Sequence, residues 1–400
     1  MLALVQTALS YIAPFLFVLL LVITVHEFGH FFAARLFGVA IERFSIGFGR
    51  AILSWRDRTG VEWRIGWVPI GGYVMFAGDE NVASVPDQND LVVLRRQIVA
   101  REGPGAERKY LPFKPVWQRA IVAAAGPAAN FLLAVTIFSV LFVTLGEETL
   151  RPRVASVVPG SPAAAAGFHV ADLVTRADGQ SVDSFEQLHR LVALRAGVPM
   201  TFTVERGGQT VELQATPARV KVDNDSEGQL GIEASRAPAD IVRHHYGPVA
   251  AVAAGAARTW DVVDTTIFYL GRLAEGQESP KQLTSFIGIA QVSHAAVVEG
   301  ARGAHGLAAE LGGSVVMLFE LAAFVSVSIG FANLLPIPIL DGGHLLFYAY
   351  EAIARRPVAA RVQAISYRLG LALLVGLMLF ATTNDLQRLH ILRFLGGPFS

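Results

Sequence analysis

The chain has 400 residues, 53% of them hydrophobic and 16% charged, with a mean hydropathy of +0.46, too apolar for an ordinary soluble protein. Basic and acidic side chains balance at 33 each, which argues against a nucleic-acid or strongly acidic partner. Cysteine is absent, so disulfides and thiolate ligands are excluded and any bound metal must be held by His, Asp or Glu.

The first charged side chain is Glu27, and the apolar run before it has neither a basic start nor a small-residue cleavage site. It reads as a retained membrane helix over residues 13–37, since a span needs about 20 apolar residues. Residues 61–74 alternate, with Trp63, Ile65 and Trp67 set against Arg64 and Gly66, and predict a β-hairpin with a Gly71-Gly72 turn nearby. Residues 79–112 show no clear period and read as an irregular cytoplasmic loop. A second span is expected over 120–145, a third over 314–340 and a fourth over 369–383. Residues 249–273 are equally long but carry Arg258, Asp261, Asp264 and Arg272, costly charges at a bilayer centre, and predict an amphipathic helix on the membrane surface. Short-loop arginines at 43–108 and 355–368 place both of those loops in the cytoplasm and residues 147–313 outside.

Between the second and third spans the composition becomes that of a soluble domain. A strand is expected over 154–158, then a short helix with Ser161 as N-cap, Pro162 at its first position and Gly167 as its stop. Asp178-Gly179 predicts a turn, residues 184–196 an amphipathic helix, and Gly207-Gly208 the turn of a hairpin. With Ser161-Pro162-Ala163, Ala166-Gly167-Phe168 and Ala171-Asp172, this order resembles a bacterial, circularly permuted PDZ domain.

The chemistry sits in His26-Glu27-Phe28-Gly29-His30. Four residues apart on a helix, both imidazoles share one face and can reach one metal, with Glu27 beside them as a proton acceptor. Zinc suits two neutral nitrogens and one carboxylate, which leave a fourth position for water and bring that water's pKa towards neutrality. The third ligand should be acidic and at membrane depth. Asp341 is the only aspartate of residues 314–350 and follows Asn333-Leu334-Leu335-Pro336-Ile337-Pro338, where prolines break the helix; the following Gly342-Gly343 allows close backbone approach. Asn333, close to that turn, is assigned to substrate positioning or oxyanion stabilisation. Asn130 is assigned to helix–helix hydrogen bonding and Arg119 to the cytoplasmic membrane edge. For His344 a place at the metal site and a backbone- or water-bonded role stay open.

His-Glu-Phe-Gly-His in the first span paired with Leu-Asp-Gly-Gly-His late in the chain resembles the site-2 protease family, in its bacterial regulator-of-sigma-E branch with an external PDZ domain. Residues 45–49, 69–74, 117–120 and 126–130 agree, so the likeness runs nearly the whole length. The resemblance implies intramembrane proteolysis in a bacterial inner membrane, with zinc on His26, His30 and Asp341 and with Glu27 as the base. It also implies single-span signalling or anti-sigma proteins as substrates in the lipid bilayer, without nucleic acid or a small-molecule cofactor. A substrate helix must unwind before water can attack it, and an extended peptide can add to the edge of the predicted hairpin, which marks Trp67, Gly71 and Gly72 as substrate contacts. Two features depart from the pattern: the chain has room for one PDZ domain where well-known relatives carry two, and residues 283–290 lack a Gly-Pro pair.

The expected fold class is therefore an α-helical integral membrane protein of about four transmembrane helices, with a membrane-associated β-hairpin and an external PDZ-like α/β domain. Its expected parts are residues 1–146 (first half of the protease core), 151–235 (PDZ-like), 236–312 (external helix and loop) and 313–400 (second half of the core). Two rival functions stand beside this. One is a membrane zinc peptidase that cuts soluble or misfolded chains, which would take its third ligand from a later Glu or His on a soluble helix. The other is a non-proteolytic PDZ scaffold or metal carrier, against which Glu27 speaks, since a carrier needs ligands but no base.

Overall fold

The computed structural model describes residues 2–78, 88–193, 195–222, 225–235, 237–274, 285–302 and 306–388. In chain order the elements begin with α1 (Leu2–Leu36), β1 (Ile41–Arg56), β2 (Glu62–Phe76), α2 (Gln88–Glu102) and α3 (Val116–Thr144). There follow β3 (Glu147–Leu150), β4 (Val154–Val157), α4 (Pro162–Ala165), β5 (Leu173–Ala177), β6 (Gln180–Ser181), α5 (Phe185–Ala193), β7 (Met200–Arg206) and β8 (Gln209–Ala215). Next are β9 (Ala218–Val222), β10 (Asp225–Gln229), β11 (Ile232–Ala234), β12 (Ile241–His244) and α6 (Pro248–Ala274). The chain then enters α7 (Phe286–Ala301), α8 (Leu307–Leu334), α9 (Asp341–Ala354) and α10 (Ala360–Arg388). Two compact units result, one of residues 1–138, 255–263 and 281–400, the other of 139–254 and 264–280.

Among the described residues four helices are long and apolar enough to cross a membrane: Leu9–Leu36, Val116–Thr144, Ala308–Leu334 and Arg361–Gln387. The third stops six residues before its expected end, because Pro336 and Pro338 cannot continue a helix. The fourth extends beyond 369–383 at both ends. Residues 248–274 form the expected single helix, which is not among these four.

The hairpin differs from expectation. Residues 61–74 do not contain the turn: nearly all of them belong to one strand, β2, and the partner is β1. The connection at 57–61 is held by Asp57, whose carboxylate accepts from the Thr59 and Val61 backbone N–H groups at 2.8 and 3.1 Å. Both strands fold back on themselves. Phe44 lies opposite both Val74 and Trp63, and Ile46 opposite both Gly72 and Ile65, while Leu53 also faces Ile65. The pairing order is thus 51–56, 62–66, 41–46, 72–76, with the last segment at an edge. Gly47 and Gly71 sit at the folds with φ of 85° and 119°, which side chains rarely adopt. The inner end of β1 packs through Ile41 and Phe44 on Phe31 and Ala34 of α1 and Val122 of α3. The outer end exposes Phe48, Ile52, Leu53 and Trp55 beside Ile65 and Trp67, an apolar surface suited to lipid.

Residues 79–112 are not wholly irregular either, since 88–102 form α2. Leu94 and Ile98 pack with Ala106 and Tyr110. That i, i+4 pair is too short to stand out as a period. Of this segment residues 79–87, and of the external loop residues 283–284, lie outside the described residues.

The second unit has the PDZ element order. Ser161 caps α4 by accepting from the Ala164 N–H, and Gly167 ends it at φ 82°. Asp178 and Gly179, both at positive φ, turn β5 into β6, and Gly207-Gly208 joins β7 to β8. Strands order as β6-β5-β7-β8, with β11 on β4 in a separate pair. Val154, Phe168, Val174, Leu188, Met200, Phe202 and Val204 form the core. Each such side chain contributes about 1.5–3 kcal/mol through burial.

Candidate metal centre

α1 presents His26 and His30 on one face, their Nε2 atoms 3.2 Å apart. Asp341, the first residue of α9, closes the triangle: its Oδ2 lies 3.2 Å from His26 Nε2 and its Oδ1 3.5 Å from His30 Nε2. Among the described residues these three form the cluster whose ligand atoms all lie within 4.8 Å of one another. A tetrahedral zinc with bonds of ~2.0–2.1 Å has ligand–ligand edges of ~3.3–3.4 Å, close to all three separations. Asp341 Oδ2 is buried without a hydrogen-bond partner, a costly state unless a cation supplies one. The residues fit zinc.

Backbone proximity builds the triangle. The turn after α8 is closed by Ile337 N–H to the Leu335 carbonyl at 2.7 Å and Leu340 N–H to the Ile337 carbonyl at 2.9 Å. A Cβ on Gly342 would stand 2.3 Å from the Leu334 and Leu335 carbonyl oxygens, and one on Gly343 2.4 Å from that of Ile337. Only glycines let α9 start there and deliver Asp341. On α3, a Cβ at Gly126 would meet His30 Nε2 at 2.3 Å and His26 Cε1 at 2.9 Å. His30 Nδ1 donates to the Val122 carbonyl at 2.8 Å, and the Asn130 amide stands 3.3 Å from His26 Nδ1.

Glu27 points to the β edge. The Val74 backbone N–H donates to its carboxylate, and Gly72 packs so close that a Cβ there would lie 2.9 Å from Glu27 Cγ. A cavity of about 300 Å³ joins these parts, lined by His26, Glu27, His30, Asp341, His344 and Asn333, and by Gly72, Tyr73 and Val74 of the edge segment. Trp67 and Gly71 do not line it. Trp67 is 72% exposed on the hairpin, and Gly71 is covered by the Phe48 ring.

Three residues carry more than their sequence reading. Arg119, assigned to the membrane edge, lines the cavity and forms a two-pronged pair with Glu351. His344 faces the cavity with the Tyr367 hydroxyl 3.5 Å from its ring nitrogens. Asn130, assigned to helix–helix hydrogen bonding, makes such bonds on two sides: its side-chain amide meets His26 of α1 and its backbone carbonyl accepts from Ser326 of α8, so what the sequence reading lacked was the histidine as partner. Its place four residues after Gly126 and eight after Val122, on the stripe that meets the histidines, was the available signal.

A helix-borne histidine pair with an acid beside it, inside an apolar span, is equipment for hydrolysis within a bilayer. The chain belongs to peptidase family M50, the site-2 type of membrane-embedded zinc metalloprotease, whose family description matches residues 14–377. It is 50% identical over 390 residues to metalloprotease MmpA of Caulobacter vibrioides, covering 96% of this chain and 97% of that protein. Against the regulator of sigma-E protease RseP of Salmonella typhimurium it is 30% identical over 476 aligned positions, 94% of this chain and 98% of that protein. That alignment is longer than this chain, so the relative carries residues that this one lacks. Among solved structures, the PDZ domain of the SdrC-like protein of Listeria innocua is similar over 24% of this chain and 99% of that one, at 23% identity and a TM-score of 0.19.

Proposed function

We propose that this inner-membrane zinc protease cuts the transmembrane segments of single-span signalling proteins, anti-sigma factors among them, with His26, His30 and Asp341 as the zinc ligands and Glu27 as the base. The observation that carries the reading is the 3.2–3.5 Å triangle of ligand atoms with Glu27 at its side, opening on the same cavity as the edge segment of the hairpin, Gly72 to Val74. Bound zinc supplies Lewis acidity that brings the pKa of a water towards neutrality. Glu27 takes a proton from the attacking water as its oxygen bonds to the scissile carbonyl carbon. It returns that proton to the leaving amine nitrogen as the C–N bond breaks. Asn333, on the cavity wall, donates its amide N–H to the carbonyl oxygen as charge develops there.

Gly72 to Phe76 receive the unwound substrate as an added strand. Because Val74 N–H holds Glu27, a peptide on this edge runs beside the base. The proposed substrate contacts are thus Gly72 directly, Gly71 through the fold that sets the edge, and Trp67 through the lipid-facing surface that an entering helix crosses. The PDZ-like part, residues 151–235, is read as periplasmic, where it excludes substrates whose outer domains are still large. The domain divisions at 1–146, 151–235, 236–312 and 313–400 belong to the same reading.

The test is a variant set on the purified chain with a transmembrane substrate. Glu27→Gln should keep zinc and lose proteolysis, whereas His26→Ala and Asp341→Asn should lose zinc as well. Near-wild-type cleavage by Glu27→Gln would sink the mechanism.

A further inference from the structure

Both histidines turn Nε2 towards Asp341 and towards each other. A neutral imidazole that offers Nε2 as a lone pair carries its proton on Nδ1, and that proton needs an acceptor. For His30 the acceptor is the Val122 carbonyl at 2.8 Å, a group that can only accept, so its tautomer is settled. The corresponding partner of His26 is the side-chain amide of Asn130, a residue with no solvent exposure.

The amide nitrogen stands 3.3 Å from His26 Nδ1, while the amide oxygen is buried without a partner. Two N–H donors cannot bond to each other. The nitrogen and oxygen of an amide exchange places on a 180° rotation, a choice that the hydrogen-bond network decides. We propose that the Asn130 side-chain carbonyl accepts the Nδ1 proton of His26, and so holds that imidazole in the tautomer and orientation in which Nε2 is free for zinc. This rests on the reading of His26, His30 and Asp341 as zinc ligands.

The rest of α3 fits that role. Val122, Gly126 and Asn130 are spaced four apart and share one face of the helix. The first and last each supply an acceptor to one imidazole, and Gly126 between them leaves room for both rings. α3 thus provides no ligand but supports two. The Asn130 backbone is fixed independently of its side chain, because Ser326 Oγ donates to its carbonyl at 2.9 Å. Asn130 is therefore a positioning residue acting through His26.

The test uses the full chain in detergent with Glu27→Gln as background, which removes the proposed base and leaves zinc affinity as the readout. Asn130→Leu keeps the branched shape without an acceptor, and Asn130→Asp keeps an acceptor. Competition with a zinc-chelating dye should show Asn130→Leu binding about 10–100-fold more weakly, the usual loss when such a partner is removed, and Asn130→Asp within about threefold of the parent. Unfolding temperatures of the zinc-free proteins, taken in parallel, separate this effect from loss of packing. Asn130→Ala serves the same comparison if the leucine variant does not fold. Affinity within about twofold of the parent for the acceptor-free variant, or an equal loss in Asn130→Asp, overturns the proposal. His26→Ala distinguishes the underlying reading: if it binds zinc like the parent, the ligand set is wrong; if it loses zinc while Asn130→Leu keeps it, only the role of Asn130 falls.

Discussion

Arg119 on α3 and Glu351 on α9 meet in a two-pronged ion pair, with nitrogen–oxygen distances of 3.0 and 2.6 Å. Both side chains are largely buried, and the Arg119 guanidinium also lies over the Tyr348 ring. The pair ties the helix that begins with Asp341 to the helix that supports the two histidines. Removing one partner leaves a buried charge alone, so Arg119→Leu or Glu351→Leu should each cost about 3–5 kcal/mol, and the double replacement less than either. Equilibrium unfolding in mixed micelles, read as a double-mutant cycle, checks this. Single variants as stable as wild type would mean that the pair does not anchor α9.

Gly126 gives a sharper contrast between local and tertiary preference. Alanine is the better helix former by about 1 kcal/mol, yet its methyl group would press on both imidazoles. Gly126→Ala should bind zinc at least tenfold more weakly, as metal-to-protein ratios under chelator competition will report. Gly376→Ala on α10 is the control, since nothing lies within 4 Å of its Cβ position, and its zinc content should not change.

The membrane orientation can be read with introduced cysteines, because the chain has none of its own. An impermeant thiol reagent on intact cells should label Gln209→Cys and spare Arg56→Cys and Arg355→Cys. The opposite labelling would reverse the arrangement inferred from loop arginines.

Deleting residues 151–235 should allow cleavage of substrates whose outer domains are untrimmed while trimmed ones remain cleavable. Loss of cleavage of a trimmed substrate, by a protein that still holds zinc, would instead assign the PDZ-like part to recruitment.

Acid should loosen that same unit. Asp172 is fully buried, which by itself raises its pKa, but Arg206 at 2.7 Å and the His169 N–H outweigh burial and hold its carboxyl below the ordinary 3.8. The folded state thus binds this proton less readily than the unfolded state. The contribution is complete above about pH 4 and is lost as pH falls through the lower, folded value. Asp172→Asn should weaken the domain by about 1.5–3 kcal/mol at pH 7, with the gap to wild type narrowing below pH 4. Hydrogen exchange of peptides from 151–235 in the full chain, corrected for intrinsic rates, measures both.

Much of this protein is local enough to be written in its sequence. A span is a length of apolar residues, a shared helix face is a spacing of four, and a cap is a serine before a proline. His26, Glu27 and His30 were legible for that reason, as were Ser161, Asp178-Gly179 and the Gly207-Gly208 turn. Asp341 was legible because a lone carboxylate among apolar residues, between proline and glycine breaks, demands a partner.

What the sequence could not state is which distant backbones touch. The hairpin's true turn at Asp57, its folding into four paired segments and the removal of Trp67 from the cavity depend on pairing between β1 and β2, which alternation within one strand does not specify. The support given by Val122, Gly126 and Asn130 to two histidines about a hundred residues away exists only because α3 packs against α1 at glycine distance. A backbone carbonyl and a missing side chain leave no chemical mark in a sequence, so only the tertiary structure shows that α3 lies against the two histidines.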